Sequence, residues 1–349
     1  MTNERKLLRR TAELAADYIE SLDDRPVFPR RSVDDIAAAL GGPLPERSSD
    51  ALDVVELLAR EAEPGVVATA GPRYFGYVTG GALPATVGAD WLTTIWDQCG
   101  AFSVLGPSAS IVEEIVGDWL KDVLALPGAA SFAITTGCQM AHVTAFAAAR
   151  HDILAAREWD VRERGLAGSP PITVLVGQHR HVTVDRALRL LGIGGEQIRV
   201  VDADAQGRML PDVLRRTLVG VGGPTIVCAS RRARSFTVYA ALRSLGREGV
   251  AELVDRCCSL AERFARAASE LPGCEVLNDV TINQVLFRFA DDETTTAVLA
   301  RVQESGEAWM GGTTWDGRAA IRISVSGWRT TEPDIDRTVA AFDVALRAV

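Results

Sequence analysis

Three short apolar segments, separated by stretches of helical character, constrain this chain more than any other feature. Ile172–Val176, Gln197–Val201 and Thr225–Ala229 each read as a buried strand. His181–Leu191 and Pro211–Leu218 read as the helices between them. Apolar strands of this length, alternating with helices, predict an α/β unit with a mainly parallel sheet covered on both faces.

The flanks read differently. Residues 4–24, 32–40 and 51–62 are predicted helical, with the breakers Arg25-Pro26-Val27-Phe28-Pro29 and Gly41-Gly42-Pro43-Leu44-Pro45 between them. Such an arm has little core of its own and is expected to drape over another surface, such as a second subunit. A helix is predicted over Ile111–Leu126, opened by a Ser110/Glu113 capping-box pattern and closed by Pro127-Gly128. Ser131–Thr135 reads as a strand before a tight turn and a helix over Gln139–Ala156. Arg231–Leu271 reads as uninterrupted helix. Asn283–Phe289 and Ala320–Val325 read as strands, each followed by a helix (293–304 and 334–347), which predicts a small α+β domain of the ferredoxin-like kind.

Composition excludes several function classes. With 349 residues, 47% hydrophobic and 24% charged, the chain is globular rather than disordered. A net charge of −9 argues against a general nucleic-acid surface. No stretch approaches a membrane span, and Met1–Arg10 leads into no apolar signal region. Six cysteines without C-x-x-C spacing read as reduced thiols, so the expected compartment is the cytoplasm. Of the 37 basic residues only Lys6 and Lys121 are lysine. That matters for any chemistry that needs a primary amine, which arginine cannot supply.

Among the motifs, Gly192-Ile193-Gly194-Gly195 lacks the third glycine of a dinucleotide fingerprint and reads as a turn. His179-Arg180-His181 has no accompanying cysteine or carboxylate cluster, so no metal site is expected. The turn Thr135-Thr136-Gly137-Cys138-Gln139 opens a helix with small and hydroxylic residues, which suits an anion. An ordinary glycine N-cap would read the same way. His181 follows a buried strand, where α/β proteins place ligands, or is a plain surface imidazole.

Taken together, these segments resemble the group II pyridoxal-phosphate-dependent decarboxylases, the family acting on aromatic amino acids, glutamate and histidine. Gly71-Pro72-Arg73-Tyr74-Phe75-Gly76-Tyr77 is similar to the family's HP-x-F-F-G-Y segment. Gly106–Glu113 is similar to its SPA-x-T-E-L-E start, and Thr135–Arg150 to its T-S-G-G-T-E-A-N segment. His181–Ala187 resembles H-S-S-V-x-K-A, Ile198–Met209 the V-x-x-D-x-x-G-R-M strand and turn, and Arg231–Glu252 the following helix. Trp315–Asp336 resembles the family's ending.

The resemblance implies a fold type I large domain with a mainly parallel sheet, a small C-terminal α+β domain and an N-terminal helical arm. In numbers, it implies an arm over 1–66, a pyridoxal-phosphate-binding domain over 67–230 and a connecting helix with the small domain over 231–349. It implies the cofactor pyridoxal 5'-phosphate, held by Thr136, Gly137, Cys138, Gln139, His181 and Ser230, with His181 the catalytic residue stacked on its ring. Tyr74, Phe75 and Tyr77 would line the substrate cleft. An amino acid would be converted to its amine and CO₂ by a homodimer, with no nucleic acid, membrane or metal involved.

One departure is severe. Between Ser230 and Arg231 the family carries a further long segment, with the aspartate that pairs with the pyridine nitrogen and the Schiff-base lysine. Neither is present here. Two alternatives therefore stay open: another pyridoxal-phosphate lyase or oxidative deaminase on the same scaffold, and a non-catalytic dimerising pseudo-enzyme.

Overall fold

A computed structural model describes residues 3–29, 31–98, 100, 103–221, 223–227 and 235–349. In chain order the elements are α1 (Asn3–Ser21), α2 (Val33–Leu40), α3 (Ala51–Ala62), α4 (Pro84–Trp96), α5 (Pro107–Val123), α6 (Cys138–Ala155) and α7 (Val161–Arg164). Then come β1 (Thr173–Gly177), α8 (Val182–Leu190), β2 (Ile198–Val201), α9 (Pro211–Val219), β3 (Thr225–Val227) and α10 (Ser235–Ser269). The chain ends with β4 (Glu275–Val276), β5 (Gln284–Arg288), α11 (Asp292–Ser305), β6 (Gly311–Trp315), β7 (Arg318–Ser324) and α12 (Glu332–Leu346). Contacts group these into two units, one over 84–247 and one formed by 1–83 with 248–349.

The unit over 84–247 holds the expected parallel sheet, in the order β2-β1-β3. Val174 of β1 stands opposite Ile198 of β2 on one side and Ile226 of β3 on the other. β1 is central, and its consecutive Val174, Leu175 and Val176 are all buried, as a strand covered on both faces must be. Phe146 and Leu154 of α6 and Val184, Ala187 and Leu188 of α8 complete this core. β1 crosses to β2 through α8, and the chain then returns through α9 to β3 on the opposite edge. The carboxyl end of β1 is therefore the switch point where ligands of open α/β sheets bind.

Two local expectations fail in this unit. Residues 131–135 form no strand, because no neighbouring strand offers them a ladder. The helix expected from Ile111 begins at Pro107, with Gly106 as its N-cap. A proline in the first turn needs no N–H partner, so it sets the start ahead of the Ser110 pattern.

In the other unit, β4-β5-β7-β6 form an antiparallel sheet. Its one intervening helix, α11, lies between the second and third strands, so the topology is not ferredoxin-like. Phe264 of α10 and Phe342 of α12 meet Phe287 of β5, both with ring centroids 5.3 Å away. Edge-to-face and tilted pairs of this kind add about 0.5–1.5 kcal/mol beyond the area they bury.

The N-terminal arm packs within this same unit. The Val27 N–H donates to the Gly306 carbonyl at 2.8 Å, and Leu22 and Val27 are buried. Arg73, 1% exposed, donates to the carbonyls of Glu307 (2.7 Å), Asp23 (2.8 Å) and Arg25 (3.5 Å), clamping the arm to the C-terminal half of the chain. α10 is broken rather than uninterrupted: Gly246 sits at φ 66°, ψ 179°, a backbone that side-chain-bearing residues avoid, next to the junction of the two units.

Candidate active site

The turn before α6 is open backbone. Gly137 is the N-cap with φ 163°, ψ 175°, an extended conformation, and no side chain caps the helix. The first N–H groups of an α-helix have no partner inside it, and the helix dipole adds a partial positive charge there. Thr136 is exposed, while Gly137, Cys138 and Gln139 are half-buried.

α8 opens beside it. His181 is the N-cap of α8: its Nδ1 accepts the Thr183 N–H at 3.3 Å and lies 2.8 Å from Thr183 Oγ1. Gln139 Nε2 donates to the Thr183 carbonyl at 3.4 Å. The sequence-predicted turn Thr136–Gln139 and His181 are thus brought together, past the carboxyl end of β1. Ser230 lies outside the described residues.

One residue of this region escaped the sequence reading. His142, one helical turn after Cys138, is 3% exposed, and its Nδ1 lies 3.8 Å from Cys138 Sγ. Its Nε2 is buried with no hydrogen-bond partner. A buried polar atom left unpaired costs about 1–3 kcal/mol, so the site holds an unmet polar demand. Burial, and next the nearby His181, push the His142 pKa down, which keeps the imidazole neutral. Only its i,i+4 spacing from Cys138 could have signalled this, and that spacing is common on any helix.

The three aromatic candidates sit in the other unit and divide. Tyr74 stacks on Trp309 (centroids 5.1 Å, interplanar 6°), and so does Tyr77 (5.6 Å, 27°). Phe75 is 1% exposed and belongs to the core, so the expectation that its side chain lines a cleft is corrected. Tyr74 is buried beside it at 6% exposure, and the Phe75 N–H donates to the Trp309 carbonyl at 2.7 Å. Tyr77 is 74% exposed, and it and Val78 both adopt left-handed backbone (φ 52° and 57°). A Cβ on Gly76 would lie 2.1 Å from the Trp309 ring, so the aromatic stack requires glycine there.

The open helix terminus, the adjoining imidazoles and the orphaned His142 Nε2 fit the phosphate and ring of pyridoxal phosphate. The amine that would join it covalently does not fit. Lys6 is exposed on α1. Lys121 on α5 is held by Asp118 at 2.9 Å and by the Gly128 carbonyl at 3.1 Å. Among the described residues no group of three potential metal ligands assembles, and no helix is long and apolar enough to cross a membrane.

No protein-family model matches the chain. By sequence it is 26% identical over 245 residues to tryptophan decarboxylase 2 of Oryza sativa subsp. japonica, an alignment covering 68% of this chain and 49% of that protein. It is 25% identical over 214 residues to an aromatic-L-amino-acid decarboxylase of Bacillus atrophaeus, covering 61% and 42%. The chain therefore spans about half the length of the curated relatives it matches. Among solved structures it matches Oryza sativa TDC with PLP and tryptamine at TM-score 0.85 and 17% identity, covering 99% of this chain and 98% of that one. Mouse CSAD in apo form matches at TM-score 0.89 and 15% identity, covering 99% of each. By sequence this chain is similar to tryptophan, tyrosine and aromatic-L-amino-acid decarboxylases, and its fold is the fold type I architecture of those solved structures.

Proposed function

We propose that this protein is a pyridoxal-phosphate-dependent amino-acid decarboxylase, a carboxy-lyase, whose cofactor seat the chain carries and whose covalent lysine it lacks. The observation that carries this reading is the joining of the uncapped α6 terminus to His181 through Gln139 and Thr183, in a chain homologous to decarboxylases. When bound, the cofactor supplies the electron sink that lets CO₂ depart from the amino acid. The N–H groups of the Thr136–Gln139 turn would hold its phosphate, and His181 would face its ring. The named relatives favour an aromatic amino acid.

The missing lysine and ring-pairing aspartate belong to a segment between Ser230 and Arg231. The chain acts as a homodimer in the cytoplasm, its described cysteines being unbridged thiols. A monomer in light scattering would overturn the dimer.

The test compares this chain, verified by intact mass, with a chain carrying a family segment inserted after Ser230. Both are expected to bind pyridoxal phosphate saturably, and only the longer one to release CO₂ above the free-cofactor rate. Absence of saturable binding by either overturns the reading, and efficient turnover by the 349-residue chain overturns the role given to the segment.

A further inference from the structure

We propose that Cys138 and His142 form a thiol–imidazole pair that makes the mouth of α6 a site of oxidation by hydroperoxides, and that this oxidation closes the turn to anions. The closing half rests on the cofactor reading above, whereas the reactive pair does not.

The pair is built from three independent features. Nδ1 of His142 lies 3.8 Å from Cys138 Sγ, a sulfur hydrogen-bond distance set by their i,i+4 places on α6. His142 is buried and its Nε2 is unpartnered, so nothing competes to turn the ring away. Cys138 is the first residue of an eighteen-residue helix with no side-chain cap, where a developing thiolate meets the positive end of the dipole. The thiol is half-buried beside exposed Thr136 and Met140, within reach of small oxidants but not of large ones. Burial disfavours the imidazolium, so the neutral ring takes the thiol proton only in passing, as the sulfur reacts.

The step balances. The thiol proton passes to Nδ1 as the sulfur attacks a peroxide oxygen. The S–O bond forms while the O–O bond breaks, sulfur loses two electrons, and the peroxide is reduced. The departing oxygen takes the proton from the imidazole and leaves as water or an alcohol. Cys138 is left as a sulfenic acid, reversible by thiols. The added oxygen occupies the space in front of the helix N–H groups and fills it with an acceptor, which excludes a second anion.

The test treats the whole chain with hydrogen peroxide, traps sulfenic acid with dimedone and maps the peptides. Cys138 is expected to label at least about tenfold faster than half-buried Cys258, which has no histidine within four residues of it on α10. H142Q should bring Cys138 down to the Cys258 rate, and C138S should abolish its label while keeping the far-ultraviolet circular dichroism of the parent. Equilibrium dialysis with inorganic phosphate reads the closing half: the oxidised chain should bind at least about tenfold more weakly than the reduced one. Cys138 labelling no faster than Cys258, or indifference to H142Q, overturns the pair. Unchanged phosphate binding after full oxidation overturns the closing. Failure of the reduced chain to bind phosphate overturns the cofactor reading and the closing together, while the labelling rates still decide the pair.

Discussion

Gln139 and Thr183 join the first turns of α6 and α8: the Gln139 amide donates to the Thr183 carbonyl across 44 positions of sequence. The contact sets two helix N-termini side by side, and each favours negative charge in front of it. A carboxylate at position 139 would take that charge for the protein itself. In Gln139→Glu the gain of about 0.3–1 kcal/mol from charge at the helix N-terminus is offset by the lost hydrogen bond to the Thr183 carbonyl, about 0.5–1.5 kcal/mol, so the melting temperature should change little. Phosphate and pyridoxal phosphate affinity should meanwhile fall by about tenfold or more. Thermal melting and equilibrium dialysis on the same preparation check both, and retained affinity counts against the anion seat.

His181 caps α8, and in the proposed reading it also faces the cofactor ring. His181→Ala should cost about 0.5–2 kcal/mol of stability through the lost cap, and should weaken cofactor binding as well. Asparagine caps helices but offers no imidazole face, so His181→Asn should recover the melting temperature and leave affinity low. Recovery of both by asparagine would reduce His181 to a cap.

Arg73 holds the arm by its planar fork. Arg73→Met would leave three carbonyls and Asp334, whose Oδ1 lies 3.5 Å from the guanidinium, without their donor. The expected loss is about 3–5 kcal/mol, read from urea midpoints, with early proteolytic cutting in the arm. Arg73→Lys keeps the charge but not the fork, and should fall between the two.

Cys274 supplies a pH-dependent signal. Burial, and next Glu275, push its thiol up to about 11. A pKa raised by folding contributes stability that is complete below the unfolded thiol value of about 8.5 and is lost as pH climbs through the folded one. Iodoacetamide should therefore modify Cys274 slowly in the folded chain at about pH 8, and quickly in urea. Equal rates in the two states would contradict the burial that raises it.

Borohydride reduction with pyridoxal phosphate should fix no stoichiometric label on this chain. Lys121 is the one lysine in the unit over 84–247, and its ammonium is already committed to Asp118 and Gly128. Peptide mapping that found a single, fully labelled lysine would refute this.

The sequence exposes some of this architecture clearly and hides some of it. α2, α3 and α9 carry their own punctuation, Ser32, Asp50 and Pro211, and begin where these residues say. β1 declares itself by the apolar run Val174-Leu175-Val176, and β2 by the β-branched residues around Arg199. β6 does not, since Gly311-Gly312 at its start reads as loop and only pairing with β7 makes it a strand. The turn between those strands was nevertheless written in the chain: Asp316 and Gly317 take φ 47° and 76°, the primed turn that an Asp-Gly pair announces. For the candidate site, Thr136–Gln139 and His181 were visible because turn chemistry is local. His142 and Trp309 were not, because their meaning comes only from what the fold lays beside them.

The clamp on the arm also dictates an order of events during synthesis. Residues 1–83 leave the ribosome long before 248–349, yet the two belong to one unit. Val27 waits for Gly306, and Arg73 waits for Glu307. The unit over 84–247 has emerged by then and can begin to fold while the arm still lacks its counterpart. For that interval Leu22, Val27 and Phe75, buried in the finished fold, lack their cover, and the window closes only when the last strands emerge.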